Sequence, residues 1–311
     1  PVGIKDIIDT MDMPTEDGTV LHAGRMPTRD ATVVAMLRAA GAVILGKTVT
    51  TECAYFHPGK TRNPHNPEHT PGGSSSGSAA AVAAGMVPLA LGSQTNGSVI
   101  RPAAYCGVYG FKPTHGLMPR GGILKLSRTL DHVGVFARSL EDLALCAESL
   151  VGWDGLDPDS RPRGRVPFQA TLAEAPPLEP LLAMVKGPLW ERAEPQTREA
   201  FAELAGELAD RVTEVELPPS AARALDWHRV IMEAEMAANF DLEWEKGRDK
   251  LSEKLRGLLA RGRELSALEY QKAVAHIAPL VEGFEEIFER CDALVMPSAP
   301  GPAPKGLGAT G

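Results

Sequence analysis

Serine and glycine are packed together in two stretches of this chain. The first, PGGSSSGSAAAVAAG, runs from Pro71 to Gly85, and the second, GSQTNGSVIRPAAYCG, from Gly92 to Gly107; the chain opens with VGIKD close to its first residue. Serines flanked by glycines suit either a flexible linker or a nucleophile held on a tight turn. A linker has no reason to run into an alanine helix and a buried strand, and the second cluster itself opens a helix. Ser98, after Gly97 at that helix start, has free amides beside it, from Thr95 to Ser98, that can receive a developing oxyanion. The chemistry on offer is acyl transfer to a serine.

Three other motifs match familiar patterns and fail on context. Gly41 to Thr48, GAVILGKT, fits the phosphate-loop pattern, but its four middle residues are Ala, Val, Ile and Leu. They read as a strand, whereas a phosphate loop turns its amides inward over those positions. Gly73 to Gly77, GSSSG, fits the nucleophile elbow of α/β hydrolases, yet NPEHTP precedes it where that elbow needs a hydrophobic strand. His65 and His69 have the spacing of metal ligands on a helix, but Pro64, Pro67 and Pro71 forbid a helix there. They are expected to be loop histidines bonded to water or backbone.

The GGSS run, the second serine after a glycine-rich turn and the upstream KD pair together resemble the amidase signature family of serine amidohydrolases. The likeness runs from Pro1 to about Gly152 and returns at DALVMPSAPGPAP, while Asp154 to Arg290 matches only loosely. The resemblance implies an amide hydrolase with a Ser, cis-Ser, Lys triad. Carried over position by position, Ser98 is the nucleophile, Ser74 the bridging serine with a cis peptide, and Lys5 the terminal base. Backbone amides of Thr95, Asn96, Gly97 and Ser98 form the oxyanion hole, Gly73 and Arg101 bind substrate, and Ser75, Ser76 and Ser93 give hydrogen-bond support, with Ser93 placed to hold the bridging serine. The chemical logic also stands by itself. No histidine lies in the signature stretches or in VGIKD, and a lysine serves as base once burial disfavours its ammonium form. Lys5 follows the apolar VGI; Asp6 opposes this unless it turns outward. The acyl-enzyme on Ser98 is then hydrolysed to a carboxylic acid and ammonia or an amine, and neither metal nor cofactor is called for.

Three positions depart from the commonest family pattern. Asn96 stands where a second glycine is usual, which matters if that residue needs a positive φ, a conformation Asn tolerates. Gln94 stands where an aspartate is common, and Arg101 falls three residues after Ser98 instead of two. This resembles the malonamidase-like subgroup acting on small polar amides. Arg101 either aims its fork at a substrate carboxylate or bonds loop carbonyls around the signature. Two rivals stay open: the glutamine-hydrolysing component of a tRNA-dependent amidotransferase, against which Gln94, Arg101 and the acidic balance lean, and a catalytically impaired member.

The elements that must position these residues read as a layered α/β domain. DATVVAMLRAAG is a helix capped by Asp30, with Val33, Val34, Leu37 and Ala40 on its apolar side, and AVILG follows as a short buried strand. SAAAVAAG, SVIRPAAYCG and SLEDLALCAESLVG are helices, the last capped by Ser139, and VPLALGSQ is a strand. The fold expected from the resemblance is a single domain with a mixed, twisted central sheet flanked by helices on both faces. Residues 1–152 are the signature core, 154–290 a mostly helical substrate-side region and 291–311 a strand with a Pro-rich turn. At 311 residues the chain is short for the family and is expected to be incomplete at both ends.

Composition sets the outer bounds. With 43% apolar residues the chain can build a packed core, and its formal charge of −8 supplies no field for nucleic acid. Its longest apolar stretch is broken by Gly85 and Pro88, so no membrane span is expected. Four scattered cysteines with no CxxC pair fit reduced thiols in the cytoplasm. The expected partner is a small-molecule amide, a carboxylate-bearing one among the candidates, and a homodimer is left open.

Overall fold

The computed structural model describes residues 1–311. Its first half follows the order β1 (Val2–Lys5), α1 (Thr32–Ala39), β2 (Ile44–Thr48), α2 (Ser76–Ala83), β3 (Leu89–Gln94), α3 (Ile100–Cys106), β4 (Tyr109–Phe111), β5 (His132–Ala137) and α4 (Leu140–Leu150). These strands form one mixed sheet in the order β2-β1-β3-β5-β4, parallel from β2 to β3 and antiparallel beyond. Every residue of β1 is buried, as expected of a parallel strand covered on both faces. Its last residue, Lys5, therefore ends among side chains and not in water.

The helices pack as their apolar spacing requires. Val33, Val34 and Leu37 of α1 are buried in one core with Ile4, Ile7, Leu91 and Val135, while α2, built almost wholly from Ala, Ser and Gly, is buried along most of its length. Small residues let α2 lie close to the sheet. At Gly92 a Cβ would meet Ser75 Oγ at 2.7 Å and Phe136 Cε2 at 2.7 Å, so only glycine lets the start of α2 touch β3. Ser139 caps α4 by accepting from the Asp142 amide at 3.1 Å.

The structure corrects two expectations. Asp30 does not cap α1: the cap position is Ala31, and the Asp30 carboxylate accepts from the Met11 amide and the Arg38 guanidinium instead. Strand β2 is not buried. It is the edge of the sheet, with Leu45 59% exposed. Lys47, the lysine of the phosphate-loop lookalike, lies within β2 and donates to Ile8 O and Thr15 Oγ1.

The second half continues with α5 (Phe168–Ala173), β6 (Leu182–Val185), α6 (Pro195–Leu208), β7 (Val212–Val215), α7 (Ala224–Asn239), α8 (Asp241–Gly247), α9 (Glu253–Glu264), α10 (Ala267–Ala275), α11 (Ile277–Phe288) and β8 (Ala293–Val295). Strands β7-β6-β8 form a separate parallel sheet, β6 and β7 being two four-residue strands set among the helices of this region. Helices α7 and α9 reach the main core through Met232, Met236, Leu255, Leu258 and Leu259, joined by Phe240 between α7 and α8. Ion pairs finish the cover: buried Glu233 of α7 accepts two hydrogen bonds from Arg261 of α9, and His22 bridges Asp17 to Glu243 of α8. The final segment folds back on the signature loop, where Thr70 N bonds Pro304 O and His69 Nδ1 bonds Ala303 O. No helix is long and apolar enough to cross a membrane.

Candidate active site

In an open α/β sheet, ligands sit beyond the carboxyl ends of the parallel strands. Lys5 ends β1 and the Gln94–Thr95 turn ends β3, its parallel neighbour. The two signature stretches meet at that place. Lys5 is 0% exposed, and its Nζ donates to Ser74 Oγ at 2.6 Å and to Ser93 Oγ at 2.8 Å. Burial holds its ammonium form well below the ordinary lysine range, and the field of Asp131 opposes that only in part. Asp6 turns away, accepting from the Glu16 amide and lying 3.6 Å from Lys47.

Ser74 follows a cis peptide bond from Gly73. Ser75 sits one residue further on, and its hydroxyl straddles β3, donating to Ser93 O at 3.1 Å and accepting from Ser93 N at 3.2 Å. Ser76 donates to Val49 O. Ser93 serves a different partner from the one expected: its hydroxyl holds Lys5, not the bridging Ser74. The lysine is thus fastened between the two serine stretches.

Ser98 is 6% exposed, and it lines, with Ser74, a pocket of ≈ 260 Å³ of empty space walled by Ala54, Tyr55, Phe56, Leu126 and Met232. Its Oγ bonds no other group of the protein. The amides of Asn96, Gly97 and Ser98 also have no partner within the protein, whereas Val99 and Ile100 donate theirs to Gln94 Oε1 at 2.9 and 3.1 Å. A neutral amide oxygen fills that role, so glutamine in place of aspartate keeps the turn closed. Gly97 supplies the left-handed conformation, φ +73°, that only glycine adopts without strain. Asn96 does not: its φ is not positive, so the expectation that it must tolerate that region is corrected, and its side chain is exposed at the pocket rim.

Arg101 is turned to the chain itself. Its guanidinium donates to Gly73 O at 2.7 Å, Thr310 O at 3.0 Å and Asn96 O at 3.4 Å, and it lies over the Phe56 ring. Gly73, whose carbonyl it holds, is packed where a Cβ would meet Thr310 Cγ2 at 2.8 Å. His65 and His69 lie in a loop and bond the Cys106 and Ala303 carbonyls.

Sequence reasoning missed Asp131 and the pocket wall. Asp131 Oδ1 accepts from Thr95 Oγ1 at 2.5 Å, and burial pushes its carboxyl up to about 6. His228 of α7 donates to Thr95 O at 3.0 Å. An acid directly before an apolar strand, DHVGVF, is the signal that could have found Asp131. The adjacent Tyr55 and Phe56 and the distant Met232 carry no such signal.

A mixed α/β sheet thus brings a buried lysine, two serines and unpaired turn amides to one place at its carboxyl edge. The family model for Amidase matches residues 1–308, and the chain belongs to that family of amide-cleaving enzymes. Among its relatives is a component of the glutamyl-tRNA(Gln) amidotransferase of Thermus thermophilus, 37% identical, with 97% of this chain and 70% of that protein covered. A solved vestigial protein complex bearing on the origins of an s-triazine catabolic enzyme superposes with a TM-score of 0.91 at 31% identity, over 98% of this chain and 68% of that one. The 6-aminohexanoate cyclic dimer hydrolase superposes with a TM-score of 0.86 at 26% identity, again over 98% and 68%.

Proposed function

We propose that this amidase works through Ser98 as nucleophile, Ser74 as proton relay and Lys5 as base. Neutral Lys5 takes the Ser74 proton as Ser74 takes that of Ser98, and Ser98 Oγ bonds to the substrate carbonyl carbon. The oxyanion is received by the turn amides from Thr95 to Ser98. The relay then reverses, the leaving nitrogen is protonated and the C–N bond breaks. Water hydrolyses the acyl-enzyme by the same path, releasing a carboxylic acid and restoring Ser98. The observation that carries the reading is the buried Lys5 amine 2.6 Å from Ser74 Oγ.

The relatives favour glutamine as the amide, with its ammonia passed on inside a larger assembly of the kind that the Thermus thermophilus amidotransferase is named for. Gln94 and Arg101, which in sequence point toward small polar amides, are both occupied in holding the turn and its carbonyls. Neither argues against glutamine. The test is ammonia release from glutamine, malonamate and acetamide by the wild type and Ser98→Ala. Release from glutamine above the other two, lost by at least about 10⁴-fold in the variant, is expected. Release from none, or full release by Ser98→Ala, contradicts the reading.

A further inference from the structure

Asp131 is a buried acid outside the proposed relay, and its carboxylate contacts go to two separate parts of the site. One oxygen accepts from the Thr95 hydroxyl, on the turn that bears the unpaired amides. The other accepts from the amides of Leu126 and Ser127, both at 2.9 Å, closing the loop of residues 126–131 that helps wall the pocket through Leu126. That loop is gripped from the far side by α7. Glu235 accepts from Ser127 Oγ and from the amide and hydroxyl of Thr129, while Asn239 donates to Leu126 O at 2.9 Å. Tyr270 of α10 in turn donates to Glu235 at 2.7 Å.

We propose that Asp131 is a positioning residue that fastens the amide-bearing turn at Thr95 to a loop anchored on α7. The inference rests on the Lys5–Ser74–Ser98 reading. A turn whose amides have no internal partner needs an external tie to keep them aimed, because donors left to wander lose the alignment that stabilises an oxyanion. Thr95 is that tie, held by Asp131 through its hydroxyl and by His228 through its carbonyl. The charge has a separate effect. Asp131 is the anion whose field raises the proton affinity of Lys5 against the larger lowering by burial. The groups around Asp131 are Arg120, Lys125, Arg128, His132 and Asp157, which share its cavity. Of these Arg120 favours the carboxylate, and burial pushes His132 down to about 4, leaving it neutral.

The test is the rate at which a fluorophosphonate labels Ser98 between pH 5 and 10, located by mass spectrometry. Labelling forms a P–O bond from Ser98 Oγ, expels fluoride and sends the serine proton to the Lys5 base, so its acid limb reports that base without a known substrate. For Asp131→Asn the plateau rate is expected to fall about tenfold or more, because the amide keeps only one of the two acceptor oxygens that tie the Thr95 hydroxyl to the 126–127 amides. The acid limb is expected to move to lower pH by on the order of one unit, because the charge supporting the ammonium is gone. A role confined to folding does not move that limb, so an unmoved limb or an unchanged plateau overturns the proposal. If Asp131→Asn does not fold, Thr95→Val removes only the hydroxyl tie: a lower plateau with the limb in place, restored by Thr95→Ser, supports the proposal, and a wild-type plateau overturns it. No labelling of wild-type Ser98 overturns the triad reading and this inference together, whereas wild-type labelling with an indifferent Asp131→Asn overturns this one alone.

Discussion

The signature core and the helical cover hold their functional groups in opposite ways. In the core, Lys5, Ser74, Ser75 and Ser93 are short side chains or strand ends tied to hydroxyls and backbone, and small residues bring them together. In the cover, α7 to α10 use long side chains: Arg261 and Arg229 on Glu233, Tyr270 on Glu235, Arg263 on Asp241. A backbone-set site fixes chemistry, because each atom's place follows from strand register. A side-chain-set cover fixes the pocket wall, because long side chains can trade partners. The core is therefore expected to fail in rate and the cover in stability.

The largest expected effect lies in the core. Lys5→Met keeps the bulk of the side chain and removes the proposed base, and its amide turnover is expected to fall by about 10³-fold or more with the thermal midpoint raised or unchanged. The sign of that second part follows from burial. A lysine whose folded-state proton affinity is depressed costs stability below its unfolded value of about 10.4, so removing it relieves the cost. A variant that melts well below the wild type would assign Lys5 a mainly structural part.

Next comes the cover. Glu233→Gln leaves Arg261 and Arg229 without their carboxylate, and a loss of about 1 kcal/mol is expected, because the two guanidiniums left behind are half exposed to water. Differential scanning calorimetry measures it. A drop in turnover larger than the drop in stability would erase the contrast between the two regions. The smallest effect is at Asn96, whose φ needs no glycine and whose side chain is exposed. Asn96→Gly is expected to leave turnover undiminished, and a large fall would show that the side chain makes a contact the substrate uses.

The same contrast explains what can be read from the sequence. Gly97, the serine runs and the Ser139 cap act through local backbone geometry, so composition and spacing expose them. Strand β2 reads as buried because its residues are apolar, but its place at the sheet edge is a property of strand order. Asp30 has the cap's residue type, yet Arg38 and the Met11 amide draw its carboxylate away from the helix start. Strands β6 and β7 are hidden among helices because each has only four residues. Asp131 and Glu235 act across 36 and more than 100 residues of chain respectively, on Thr95, Ser127 and Thr129; DHVGVF marks Asp131 as an acid before a strand, but no local pattern names the partners at such reach.

Burial must make Lys5 a neutral base at working pH for the rest to hold. Nitrogen-15 NMR of lysine-labelled protein, with Lys5→Met identifying the signal, follows that amine directly. Its Nζ is expected to titrate well below the other lysines and to be an amine near neutral pH. A Lys5 signal that stays an ammonium up to the ordinary lysine range would contradict the relay.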